Sequence, residues 1–159
     1  MKLTLFIKLL FIIFVSCKKE QAYQPVQISC NLTKDLDSCR ALIGGTWTWL
    51  ETKIPNPLYG RDDYIRAKTE GYTRSISVIN DTVRFYRNNR PDSVYTYKIL
   101  KLTELTGTNY PEDNYPVLVF YQLHSGRRYD FVFLNICREY LYLDYESRRH
   151  GGYEIWKKQ

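Results

Sequence analysis

Histidine is nearly absent from this chain: His124 and His150 are the only two in 159 residues. Neither falls with Cys30, Cys39 or Cys137 at the spacing of a tetrahedral zinc site, so no metal and no cofactor is expected. The sequence also lacks a zinc-binding helix, a glycine-rich phosphate loop and a nucleophile elbow. Ser125 follows His124 in a turn, and adjacent turn residues do not make a triad. Asp130, Asp144 and Glu146 stand in strands rich in charge, where carboxylates are solvated outer-face residues more often than an acid–base pair. The chain is therefore expected not to be an enzyme.

A long apolar run is missing too. The only one is Leu9 to Val15, far short of the roughly 20 residues that cross a bilayer. It follows Lys2 and Lys8 and ends at Ser16-Cys17, the layout of an export signal. Phe14-Val15-Ser16-Cys17 resembles the lipobox of bacterial lipoproteins. The resemblance implies that residues 1–16 are removed, that Cys17 carries the lipid (a fatty acid such as palmitate), and that the membrane is reached through this anchor. Lys18 rather than Asp after the cysteine resembles lipoproteins sent to the outer membrane of the cell envelope. Losing Lys2 and Lys8 takes Lys and Arg from 23 to 21, against 17 acidic residues. So modest an excess does not point to nucleic acid.

Without Cys17, an odd number of cysteines is left: Cys30, Cys39 and Cys137. A Cys30–Cys39 disulfide would close a short loop, worth about 2–3 kcal/mol on a chain-entropy model. Pairing of Cys137 with either would pin the N-terminal segment to the rest of the chain. Sequence leaves the connectivity open.

Residues 17–40 read as a lipid-anchored tether and a short helix, and 41–159 as one domain. The polar stretch 18–33 is the tether. Apolar residues at 32, 36, 39, 42 and 43 suit one or two helical turns, stopped by Gly44-Gly45. The period then changes to two. Eight strands are expected, near 46–54, 72–79, 82–86, 93–101, 117–123, 128–134, 140–145 and 153–157. A long loop is expected from 55 to 71, a turn at 87–92 and another loop from 102 to 116. Fifteen Tyr and seven Phe supply strand-favouring aromatics. The expected fold is all-β, an eight-stranded antiparallel up-and-down barrel, which removes the exposed edges of an open sheet.

Gly45-Thr46-Trp47, opening the first strand after a short helical turn, resembles the Gly-x-Trp motif of lipocalin-like barrels. The resemblance implies that Trp47 plugs the closed end. It also implies that a late basic side chain packs over it, with Lys157 or Lys158 in the place of the usual arginine. Alternate connections of such a barrel share a rim. One rim gathers Arg87, Arg90, Arg127, Arg128, Arg148 and Arg149, and the opposite end has an excess of Asp and Glu. In the lipocalin layout the basic rim is the open mouth, which would draw an anionic ligand or partner. Asp81-Thr82-Val83 and Asp92-Ser93-Val94 resemble sites that some Gram-negative bacteria O-glycosylate on exported proteins, making Thr82 and Ser93 candidates. The functional expectation is a lipid-anchored binding module for a small apolar or anionic ligand. The alternative is an interaction or inhibitor module for another envelope protein, with its barrel filled by its own side chains.

Overall fold

The computed structural model describes residues 23–56, 58, 60–107, 114–145 and 151–159. The signal segment, Cys17, Arg148 and Arg149 lie outside the described residues. In chain order the elements are α1 (Leu36–Leu42), β1 (Gly45–Asn56), β2 (Arg61–Ile65), α2 (Ala67–Glu70), β3 (Arg74–Ile79), β4 (Thr82–Arg87), β5 (Arg90–Lys101), α3 (Leu102–Thr106), β6 (Pro116–Gln122), β7 (Arg128–Ile136), β8 (Tyr140–Asp144) and β9 (Tyr153–Lys158). Strands β3 to β9 pair with their neighbours in sequence, and β1 pairs with both β3 and β9. Eight antiparallel strands thereby close into a barrel, as the alternation predicts.

Alternating apolar residues supply the interior. Ile76 and Val78 of β3 and Val83 of β4 pack with Ile99 of β5, Leu118 of β6 and Val132 and Leu134 of β7. Each is nearly or fully buried. The turns that return the chain are short. Asn88-Asn89 joins β4 to β5 with both φ angles positive, 52° and 60°. Asparagine tolerates that conformation, and its twist matches paired strands. This turn is tighter than the expected 87–92, and β5 begins at Arg90.

The connection expected to be a loop from 55 to 71 contains a ninth strand. β2 pairs with Thr52–Asn56, along the length of β1 that β3 leaves free after Thr48. α1 is shorter than the apolar spacing suggests. Thr33 exchanges backbone hydrogen bonds with Ile136, and the helix starts only after Asp35, which accepts from the Ser38 N–H at 2.8 Å. α3 is a helical turn inside the expected loop 102–116.

At the end of the barrel beside α1, Trp47 is fully buried and donates its indole N–H to the Ile43 carbonyl at 2.9 Å. Lys158, rather than Lys157, lies over its ring, 4.9 Å from the centroid. The Lys158 ammonium donates to the Leu42 carbonyl at 3.2 Å. Gly45 is needed here, because its φ is +121° and an added Cβ would sit 3.0 Å from the Lys158 side chain.

The cysteine pairing differs from Cys30–Cys39. Cys30 is bonded to Cys137, across 107 residues, and Cys39 is a free thiol. Cys39 faces the core from α1 and is fully buried, while Cys30 faces the outside of the barrel wall. Burial pushes the Cys39 thiol up to about 11, away from the reactive thiolate. In a Cys17→Ala chain, folded protein should therefore leave Cys39 unmodified by a thiol reagent such as DTNB and react at one site per chain only after unfolding. Rapid stoichiometric labelling of native protein would contradict the assignment.

Candidate functional site: the mouth of the barrel

Among the described residues, the barrel is filled near α1 and hollow at the other end. A cavity of about 670 Å³ opens there, lined by residues that include Phe85, Ser93, Tyr95, Phe120, Tyr129 and Tyr145. Below it Ile43, Ile76, Val78, Leu118 and Leu143 leave room for only about 10 Å³. The basic rim expected from sequence surrounds this opening in part. Arg87 and Arg90 flank the β4–β5 turn, and Arg127 and Arg128 the β6–β7 turn, all of them exposed. Arg87 covers the Tyr72 ring at 4.0 Å. None of these four arginines lines the cavity itself.

Three β-bulges shape the mouth, each adding one residue to one strand and re-aiming its side chains. In β1, Leu50 is the extra residue between Trp49 and Glu51. Trp49 and Thr52 consequently face inward, while Leu50 and Glu51 both face the outer wall. In β5 the extra residue is Asp92, opposite the step from Phe85 to Tyr86. In β7 it is Tyr129, opposite the step from Phe120 to Tyr121. Asp92, Ser93, Tyr129 and Asp130 all line the cavity as a result. Asp130 is thus not the outer-face residue that strict alternation suggests.

The cavity has an aromatic wall and a charged floor. Phe85, Tyr95 and Phe120 meet edge to face with every pair of centroids 6.0 Å apart. Tyr129 stacks on Tyr95 at 4.9 Å. At the floor, Arg74 bonds Glu154 at 2.6 Å, and the Tyr145 hydroxyl donates to the same carboxylate at 2.9 Å. The Arg74 guanidinium lies 5.3 Å from the Trp49 ring and 5.0 Å from that of Trp156. Glu154 is 6 % exposed, so this charge is held by its partners rather than by water. Sequence inspection does not find the pair, since Arg74 and Glu154 are 80 residues apart in strands with many other charges.

The outer wall carries a second buried carboxylate. Residues 23–33, expected to be a free tether, run along β1, β9 and the end of β7. Val26, Ile28 and Leu32 pack there with Ile155, Tyr140 and the Cys30–Cys137 bridge. Glu51, with no exposure, accepts hydrogen bonds from Arg66 Nε at 2.9 Å, Tyr153 at 3.2 Å, the Val26 N–H at 3.3 Å and the Tyr23 hydroxyl. Arg66 also donates to the Gln24 carbonyl at 2.6 Å. Burial first, and then Glu51, push the hydroxyls of Tyr23 and Tyr153 well above the usual tyrosine range. Because the fold holds them protonated beyond the pH at which free tyrosine ionises, stability should fall as pH rises past about 10. Denaturant titrations of wild type and of a Tyr23→Phe/Tyr153→Phe variant check this: the loss above about pH 10 should be smaller in the variant.

The other candidates fall in separate places. Ser93 lines the cavity, whereas Thr82 opens β4 at the opposite end, beside Asp81 at 3.2 Å. His124 and Ser125 occupy an exposed turn, where Ser125 donates to Gln122 at 2.8 Å. No group of three or more His, Cys, Asp or Glu able to hold a metal occurs among the described residues. No family model matches the chain, nor does any curated protein or solved structure.

Proposed function

We propose that this chain is a lipid-anchored envelope lipoprotein whose barrel holds a small, largely apolar molecule in its mouth. One observation carries the binding role: a cavity of about 670 Å³ with an aromatic wall, above a tightly filled lower half. Ligand sites are typically about 300–1,000 Å³, mostly apolar, with a few polar groups to orient the ligand. The fixed Arg74–Glu154 pair and the Tyr145 hydroxyl are such groups. The rim arginines would steer ligands carrying an anionic group toward the opening. The filled lower half gives some support to the alternative, a partner-binding module. The hollow mouth favours the ligand.

The anchor is argued from Phe14-Val15-Ser16-Cys17, and the location in the outer membrane from Lys18. Residues 23–33 run along the outer wall from Tyr23, beside Glu51 and Tyr64, to Thr33 at the filled end, so the end of the segment nearest the anchor lies on the mouth half of the wall. Thr82 and Ser93 remain candidates for O-glycosylation, and a glycan on Ser93 would stand in the mouth.

Native mass spectrometry of the protein released from its own membrane tests the ligand, and incorporation of a palmitate analogue tests the anchor. The expected spectrum shows a small molecule bound one to one. Labelling should be present in wild type and absent from Cys17→Ala. Protein that is always empty, or labelling that persists in Cys17→Ala, would count against the corresponding half of the proposal.

A further inference from the structure

β1 and β2 form a hairpin at the mouth end of the barrel, where Thr52, Lys53 and Ile54 of β1 also line the cavity. From Ile54 to Gly60 the sequence, Ile-Pro-Asn-Pro-Leu-Tyr-Gly, carries no charge. The other connections at this end carry Arg87 and Arg90, Arg127 and Arg128, or Arg148 and Arg149. Leu58, between β1 and β2, is 90 % exposed, more than any other large apolar side chain among the described residues. It packs against almost nothing in its own chain. Ile54 is 43 % exposed.

The neighbour of this hairpin points to its partner. Tyr23 stacks on Tyr64 of β2, with ring centroids 3.9 Å apart. Tyr64 lies three residues along β2 from Arg61, where the ladder with β1 ends, or about 10 Å at the rise of a strand. Tyr23 is six residues after Cys17, and six residues fully extended span at most about 20 Å. A lipid on Cys17 would therefore keep Tyr23 within about 20 Å of the membrane surface, with the apolar tip about 10 Å further along β2. Ile79 is exposed too, but it ends β3 at the opposite end of the barrel and has no such link to the anchor.

We infer that the β1–β2 hairpin is a second membrane contact, with Ile54 and Leu58 entering the lipid interface beside the anchored Cys17. This rests on the lipid anchor proposed above and goes beyond it by fixing which part of the barrel meets the bilayer. A barrel held at one point can pivot, and a second contact at the mouth end stops it. The cavity shares Ile54 with the hairpin and so opens beside the membrane, where a largely apolar ligand partitions.

Lipid-modified Leu58→Cys and Ile79→Cys chains test the inference, each with a nitroxide on the new thiol and reconstituted in vesicles of phosphatidylethanolamine and phosphatidylglycerol. Oxygen concentrates in lipid and a nickel chelate stays in water, so spin relaxation by each locates the label. Wild type is the control. With Cys17 acylated, Cys39 buried and Cys30 bonded to Cys137, it should take up no label and should float with the vesicles. The oxygen-to-nickel ratio is expected to be at least about threefold higher for Leu58→Cys than for Ile79→Cys. Adding Ile54→Asp to the Leu58→Cys chain should lower that ratio by at least about half. A label at position 58 as open to nickel as the one at position 79 overturns the inference. So does a label shielded from both reagents, which marks a protein partner or a second copy instead. In either case the anchor stands. If wild type takes up label and does not float, the anchor and the inference fall together.

Discussion

An Arg66→Ala variant is expected to lose about 3–5 kcal/mol of stability, the usual effect of stripping a buried charge of its partner. Glu51 has no exposure, and Arg66 is its only cationic partner among the described residues. The reverse deletion, Glu51→Ala, should cost less. The Arg66 side chain is one-third exposed, at 33 %, and can turn to water once released. Arg66→Lys should recover part of the loss, since an ammonium restores the charge but not the paired Nε and Nη2 bonds to one carboxylate oxygen. Equilibrium urea denaturation measures all three effects. An Arg66→Ala loss below about 1 kcal/mol would show that the outer-wall carboxylate is solvated, and its dependence on Arg66 would have to be abandoned.

The Cys30→Ser/Cys137→Ser variant is expected to lose a comparable amount. The bridge spans 107 residues, and the chain-entropy model assigns about 4.7 kcal/mol to a loop near that length. Its local effect should be as distinctive as its size. The bridge, the Thr33–Ile136 pairing and the Glu51 cluster hold residues 23–33 against the outer wall. Without the bridge, limited proteolysis should cut in that segment first, with the barrel still resistant. The two large effects should also fall short of additivity when combined. A segment already released from Cys137 leaves Glu51 open to water, so the further loss of Arg66 costs less. Strict additivity would mean that the cluster and the bridge act on separate parts of the molecule.

The eight barrel strands were legible because their alternation is unambiguous: Ile76 and Val78, Tyr97 and Ile99, Leu118 and Phe120 repeat at period two. β2 was not, because Arg61-Asp62-Asp63-Tyr64-Ile65 has no alternation and is a strand only by pairing with the free length of β1. The basic rim could be counted from the loops, but the residues that line the cavity could not. Asp92 and Tyr129 are bulge residues, and each bulge breaks the period from which facing is read. Glu51 was hidden by a bulge as well: alternation from Trp47 and Trp49 points it inward, the extra residue Leu50 turns it outward, and the segment around Val26, 25 residues earlier in the chain, buries it there. Cys30–Cys137 was one of several pairings until the fold put Cys39 on the inside and Cys30 on the outside of the wall.

On the proposed function, the barrel is filled near α1 and receptive at its mouth. An NMR titration with benzyl alcohol, a neutral probe small enough for either end, tests it most directly. Shifts should concentrate on Phe85, Tyr95, Phe120 and Tyr145, with unmoved signals from Ile76, Val78 and Leu134, and the response should be lost in Ser93→Trp. Shifts spread over the outer wall, or a response that survives Ser93→Trp unchanged, would contradict it.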